Sequence, residues 1–250
     1  MKFLVFLILF TFNASAQTLV LAVASNFHGT LKTIAAEFER NTGIETDLII
    51  GSTGGLFSQI NNGAPYDIYF SADQKRPALL VEMGLTVEHS LESYAEGQLA
   101  FYIPDQLQDV DFLHWLSHNQ GERIVIANPK TAPYGHAAEQ VLRGLSLLKP
   151  FSLTMIRAGN ISKVTHVLQT GNAKAGFVAL SSMKSLGKTN YRLIPSLYHD
   201  PILQDAVILK RTTCLREARQ FMAFLKTPKV QQIMERSGYL PIKYATRETF

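Results

Sequence analysis

A chain of 250 residues, 46 % hydrophobic and 18 % charged, is long enough to bury one large core or two smaller ones. Its formal charge of +4 is spread along the chain without a basic run, which argues against a nucleic-acid-binding patch. A single cysteine, Cys214, excludes an intrachain disulfide framework, so stability must come from packing, and Cys214 itself reads as a small buried residue.

The first segment, MKFLVFLILFTFNASA, combines Lys2, an apolar run from Phe3 to Phe12 and the small-x-small triplet Ala14-Ser15-Ala16. This is the form of a signal peptide cleaved after Ala16. The run is well short of the roughly 20 apolar residues that span a bilayer. Position 17 is Gln rather than Cys, so no lipid anchor is expected and the mature chain should be free in its compartment.

From Thr18 short apolar runs alternate with amphipathic stretches, the pattern of α/β units with largely parallel sheets. LVLAVA (19–24) reads as a buried strand. Leu31, Ile34, Ala35 and Phe38 then recur at i, i+3, i+4 and i+7, predicting a helix that Gly43 stops. The same unit returns where TDLII (46–50) leads through GSTGG into LFSQINNG, and where DIYFSA (67–72) leads through DQKRP into ALLVEMG. RIVIANP (123–129) leads through KTAPYG into HAAEQVLRGL, Asn160 reads as the cap of ISKVTHVLQTG, and AGFVAL (175–180) runs into SSMKSLG. Two further apolar strands, GQLAFYIP (97–104) and DAVILK (205–210), are candidates for crossings between lobes. On that assignment one lobe comprises 17–97 plus 206–250 and the other 98–205.

In doubly wound sheets the loops after the strands gather where ligands bind. Here those loops carry Ser25-Asn26, Ser52-Thr53-Gly54-Gly55, Tyr134-Gly135 and Asn160-Ile161, and none contains an acidic residue. A helix N-terminus has unsatisfied N–H groups and a partial positive charge, so several meeting at one cleft would hold an anion without lysine or arginine. Any one loop alone is an ordinary N-cap.

Catalytic signatures are incomplete. Ser181-Ser182-Met183-Lys184 has S-x-x-K spacing without S-D-N or K-T-G, Gly187-Lys188-Thr189 lacks the first glycine of a P-loop, and GSTGG lacks the G-x-S-x-G frame. His114 and His118 stand four apart with no further metal ligand nearby.

Five segments, AVASNFHGTLKTIAAEFERNTG, GSTGGLFSQINNGAPYDIYFSADQKRP, ANPKTAPYGHAAEQVL, NISKVTHVLQTGNAKAGFVAL and FLKTPKVQQIMERSGYLP, resemble in the same order those of the periplasmic molybdate-binding proteins, the ModA family. The resemblance runs from about residue 19 to 241. It implies a type II periplasmic-binding-protein fold, two α/β lobes joined by crossing strands with the ligand cleft between them. It further implies a monomeric, non-enzymatic protein of the periplasm that captures molybdate or tungstate and passes it to the membrane permease of an ABC transporter, with no cofactor. Carried over position by position, the anion donors fall on Ser25 with Asn26 beside it, on Thr53 or the adjacent Ser52, on the Tyr134 phenol and on the Ile161 amide. Molybdenum would enter only inside the bound molybdate, through these residues. Some members carry their tyrosine where this chain has Ala179, which is expected to leave room in the cleft. Sulfate or chromate is the alternative cargo, and a periplasmic hydrolase or a sensory module the alternative class. A hydrolase would need a base near the loops, for which His28 and His136 are the nearby imidazoles.

Overall fold

The strand–loop–helix alternation read from the sequence is realised as two separate sheets. The computed structural model describes residues 18–104 and 111–242; the expected signal peptide lies outside the described residues. In chain order the strands are β1 (Leu19–Ala24), β2 (Thr46–Gly51), β3 (Ile68–Phe70), β4 (Glu92–Gly97), β5 (Leu99–Tyr102), β6 (Ile124–Ala127), β7 (Met155–Ala158), β8 (Ala175–Ala179), β9 (Tyr191–Leu193) and β10 (Ile202–Ile208). The helices are α1 (His28–Thr42), α2 (Thr53–Asn61), α3 (Lys75–Glu82), α4 (Phe112–His118), α5 (Pro133–Gly144), α6 (Ile161–Gln169), α7 (Leu180–Ser185), α8 (Leu215–Leu225) and α9 (Pro228–Arg236).

The first sheet has the order β2-β1-β3-β10-β4, with β1 parallel to β2 and β3 and with β10 antiparallel to β3 and β4. The second has the order β7-β6-β8-β5-β9, with β6 parallel to β7 and β8 and with β5 antiparallel to β8 and β9. The chain passes from the first sheet to the second at Gln98, between β4 and β5, and returns between β9 and β10. The return strand starts earlier than the sequence suggests. β10 begins at Ile202, so a boundary at 205/206 would cut a continuous strand. Gln204 interrupts its apolar run, so the sequence pattern places the start of the strand late.

Each sheet buries its own core. In the first lobe α1 turns Leu31, Ile34, Ala35 and Phe38 inward as its periodicity predicts, and Phe38 packs on Phe221 of α8 with ring centroids 4.8 Å apart. Gly43 ends α1 at φ 72°, its amide closing on Glu39 O at 2.8 Å, a left-handed position that glycine adopts without strain. In the second lobe Phe101, Phe177 and Trp115 form the aromatic centre, with Phe101–Phe177 centroids 5.2 Å apart. Cys214 is buried against the first core, and burial pushes its thiol up from the ordinary range. His114 and His118 stack at 4.1 Å on the exposed side of α4.

Candidate functional site

Four strand-to-helix junctions approach one another between the lobes. β1 turns through Ser25, Asn26 and Phe27 into α1; Ser52 caps α2, whose first residue is Thr53. Pro133 opens α5 and places Tyr134 in its first turn, while Asn160 caps α6, whose first residue is Ile161. Hydrogen bonds join the four junctions into a ring. Ser25 N donates to Gly51 O at 3.0 Å, Gly54 N to Thr131 O at 2.9 Å and Ser162 Oγ to Ser25 O at 3.1 Å. Asn26 and Tyr134 meet on the Gln204 amide. Ser25, Asn26, Ser52, Thr53, Tyr134 and Ile161 are thus brought to one place.

These residues are already partly engaged, and what remains free is uncharged and rich in donors. Ser52 Oγ accepts from Gly55 N at 3.1 Å as the cap of α2, and Thr53 Oγ1 accepts from Ala72 N at 3.2 Å. Both hydroxyls keep their protons available. Among the described residues Ser25 Oγ has no partner, and the amides of Asn26, Thr53 and Ile161 donate to none. Free N–H groups at helix starts attract an acceptor, and a fully deprotonated oxyanion offers acceptors alone.

The electrostatics fit the same reading. Two nearby carboxylates and Arg76 are occupied: Asp73 pairs with Arg76, whose Nη2 donates across to Lys130 O at 2.9 Å, and Asp205 accepts from Ser93 Oγ at 2.6 Å and Gln74 Nε2 at 3.0 Å. Burial, then the neighbouring Tyr239, pushes the Tyr134 phenol well above its ordinary range, against the hydrogen bond from Gln204 that pulls it down. Tyr134 is therefore a neutral donor at physiological pH. Burial and, secondarily, Lys32 lower His28 from its ordinary value of 6.5, and among the described residues no carboxylate partners it. His136 is exposed on α5.

A cavity of about 240 Å³ flanks the first loop, bounded by Ser25, Asn26, His28, Thr165, His166 and Ser181. Ala179, by contrast, is 0 % exposed at the β8–α7 junction. The room expected beside it is absent, since no water-sized space touches it.

Sequence reasoning missed a buried polar cluster behind the ring. Gln204 Oε1 lies 2.9 Å from both Asn26 Nδ2 and Tyr94 Oη, and Gln204 Nε2 lies 3.3 Å from Tyr134 Oη. Tyr239 Oη lies 2.9 Å from Asn26 O and 3.1 Å from Asn26 Nδ2. The available signal was Gln204-Asp205, two polar residues inside an otherwise apolar strand.

A family profile described as bacterial extracellular solute-binding protein matches residues 19–240. The molybdate-binding protein ModA of Azotobacter vinelandii is 38 % identical over 231 residues, covering 90 % of this chain and 91 % of the relative. The chain belongs to the ModA family of bacterial extracellular solute-binding proteins. The ModA protein of Rhodobacter capsulatus is 35 % identical over 227 residues, covering 91 % of this chain and 90 % of the relative. The solved structure of the Azotobacter vinelandii periplasmic molybdate-binding protein superposes with a TM-score of 0.86 at 35 % identity, covering 90 % of this chain and all of that one. The two-lobed fold expected from the sequence is that of this ModA relative.

Proposed function

We propose that this protein captures molybdate or tungstate in the periplasm and delivers it to the membrane permease of an ABC transporter, acting as a monomeric binding protein and not as an enzyme. The observation that carries the reading is the ring of four helix starts whose free groups are uncharged and include five donors: Ser25 Oγ, the amides of Asn26, Thr53 and Ile161, and the Tyr134 phenol. The ModA relatives support the choice of anion. The captured oxyanion is the ligand, and no separate cofactor enters the scheme.

A fixed lysine would accept any anion of suitable charge, whereas rigid neutral donors select for size and for full deprotonation. Hydrogen phosphate carries a proton that needs an acceptor, and the loops present no carboxylate. A hydrolase is disfavoured because His28 has no carboxylate partner among the described residues and His136 points to solvent.

Thermal unfolding with molybdate, tungstate, sulfate, chromate and phosphate in turn tests the assignment. A ligand at a hundred times its dissociation constant adds about 2.7 kcal/mol, which for a chain of this size raises Tm by roughly 5–11 °C. Molybdate and tungstate should each give such a shift. A clear shift with sulfate and none with either of those two would overturn the assignment.

A further inference from the structure

We propose that Gln204 is a positioning residue for anion selection: it occupies the acceptor side of the Tyr134 hydroxyl and so turns the phenolic proton toward the ligand. The inference rests on the oxyanion reading above and extends it to a residue outside the ring.

Gln204 is completely buried, although it lies on β10 among apolar neighbours. The pairing of β10 with β4 slips between Gln204 and Asp205, which pair with Ala95 and Ser93 respectively, leaving Tyr94 as the unpaired extra residue. A bulge of this kind re-aims side chains. Here the Tyr94 hydroxyl and the Gln204 amide meet at 2.9 Å.

Two backbone carbonyls anchor the cluster, Asn26 O and Ser71 O, each 2.9 Å from a tyrosine hydroxyl. Tyr239 Oη donates to the Asn26 backbone carbonyl at 2.9 Å and lies 3.2 Å from Ser181 Oγ, which donates to the same carbonyl. The Tyr239 oxygen must then accept from Asn26 Nδ2 at 3.1 Å. The same nitrogen donates its second proton to Gln204 Oε1. With its oxygen facing Asn26, Gln204 presents Nε2 to Tyr134 at 3.3 Å. Tyr134 therefore accepts from Gln204, and its proton is given to no described residue. Reversing one amide without the other would set donor against donor or acceptor against acceptor between Asn26 and Gln204 in a buried space. The consequence is a site whose aromatic wall can only donate. An anion that still carries a proton meets no acceptor on the phenol.

Gln204→Glu tests this, because it keeps the shape and the oxygen toward Asn26 but replaces Nε2 with an acceptor. The Tyr134 proton should turn inward and its lone pairs toward the ligand. Affinities for molybdate and hydrogen phosphate are measured by competition calorimetry in the wild type and in the Tyr134→Phe background. The added charge opposes both dianions alike, so the ratio of the two affinities reports the orientation of the phenol. The molybdate preference should fall at least tenfold in Gln204→Glu and by less than threefold when the same change is made in Tyr134→Phe. Equal falls in the two backgrounds, or no fall in either, would overturn the role of Gln204 while leaving the molybdate assignment intact. Wild-type protein that binds no molybdate would overturn both. Should the glutamate variant fail to fold, Gln204→Met provides the second measurement. It should weaken molybdate binding severalfold in the presence of Tyr134 and not in its absence, and equal weakening in the two backgrounds counts against the proposal.

Discussion

Gly97 shows how tightly one residue constrains the cleft. A Cβ placed there would sit 2.1 Å from the Tyr134 oxygen and 2.5 Å from Gln204 Nε2. Its φ is not positive, so glycine is needed here for closeness of approach and not for backbone freedom. The last residue of β4 thereby forms the floor on which the phenol rests. Gly97→Ala would push the Tyr134 hydroxyl off its partner, and overpacking of this kind costs about 1–3 kcal/mol. If that cost falls on the ligated geometry, molybdate affinity drops by roughly 5- to 150-fold. Isothermal titration of the alanine variant checks the point, and an affinity within twofold of wild type would mean that Tyr134 is not held from this side.

At the scale of elements, the ring is made by helix starts, and the residues that start them have two duties. Ser52 illustrates the overlap. Its side chain caps α2 through Gly55 N while its hydroxyl proton stays free, so fold and site draw on opposite ends of one group. Ser52→Ala should lower the stability of the ligand-free protein by about 1 kcal/mol, a fall in Tm of roughly 2–4 °C. Scanning calorimetry without ligand reads this directly, and an unchanged Tm would remove the cap from the account. Interior strands such as β1, β6 and β8 were legible in the sequence because they are buried on both faces and so are apolar throughout. The strands β4, β7 and β9 passed unnoticed, and all three are sheet edges. ESYAEG, MIRA and YRL are too short or too polar to reveal a period. The cluster behind the ring escaped for a different reason. Its contacts join Asn26 to Gln204 and Tyr239, 178 and 213 positions away, and no local pattern encodes such a meeting. The four loops were visible because a cap and the helix it begins are neighbours in sequence.

For the whole molecule, capture at the proposed site would depend on the lobes coming together, since its donors are divided between them. Ser25, Asn26 and Thr53 follow strands of the first sheet, while Tyr134 and Ile161 follow strands of the second. An anion that bonds to both sets therefore favours the closed arrangement by its differential affinity. Protein–protein bonds across the cleft add to this. Gly54 N reaches Thr131 O, and Arg76 Nη2 reaches Lys130 O at 2.9 Å while its guanidinium is held ready by Asp73. These bonds are lost when the lobes part, so they act on release more than on encounter. Arg76→Lys keeps the charge that draws an anion to the cleft but loses the planar fork that spans both Asp73 and Lys130 O. A net hydrogen bond is worth about 0.5–1.5 kcal/mol, so release of molybdate should quicken by roughly 2- to 12-fold with the association rate nearly unchanged. Stopped-flow displacement separates the two rates. A slower association with unaltered release would mean that Arg76 steers the anion and does not hold the lobes closed.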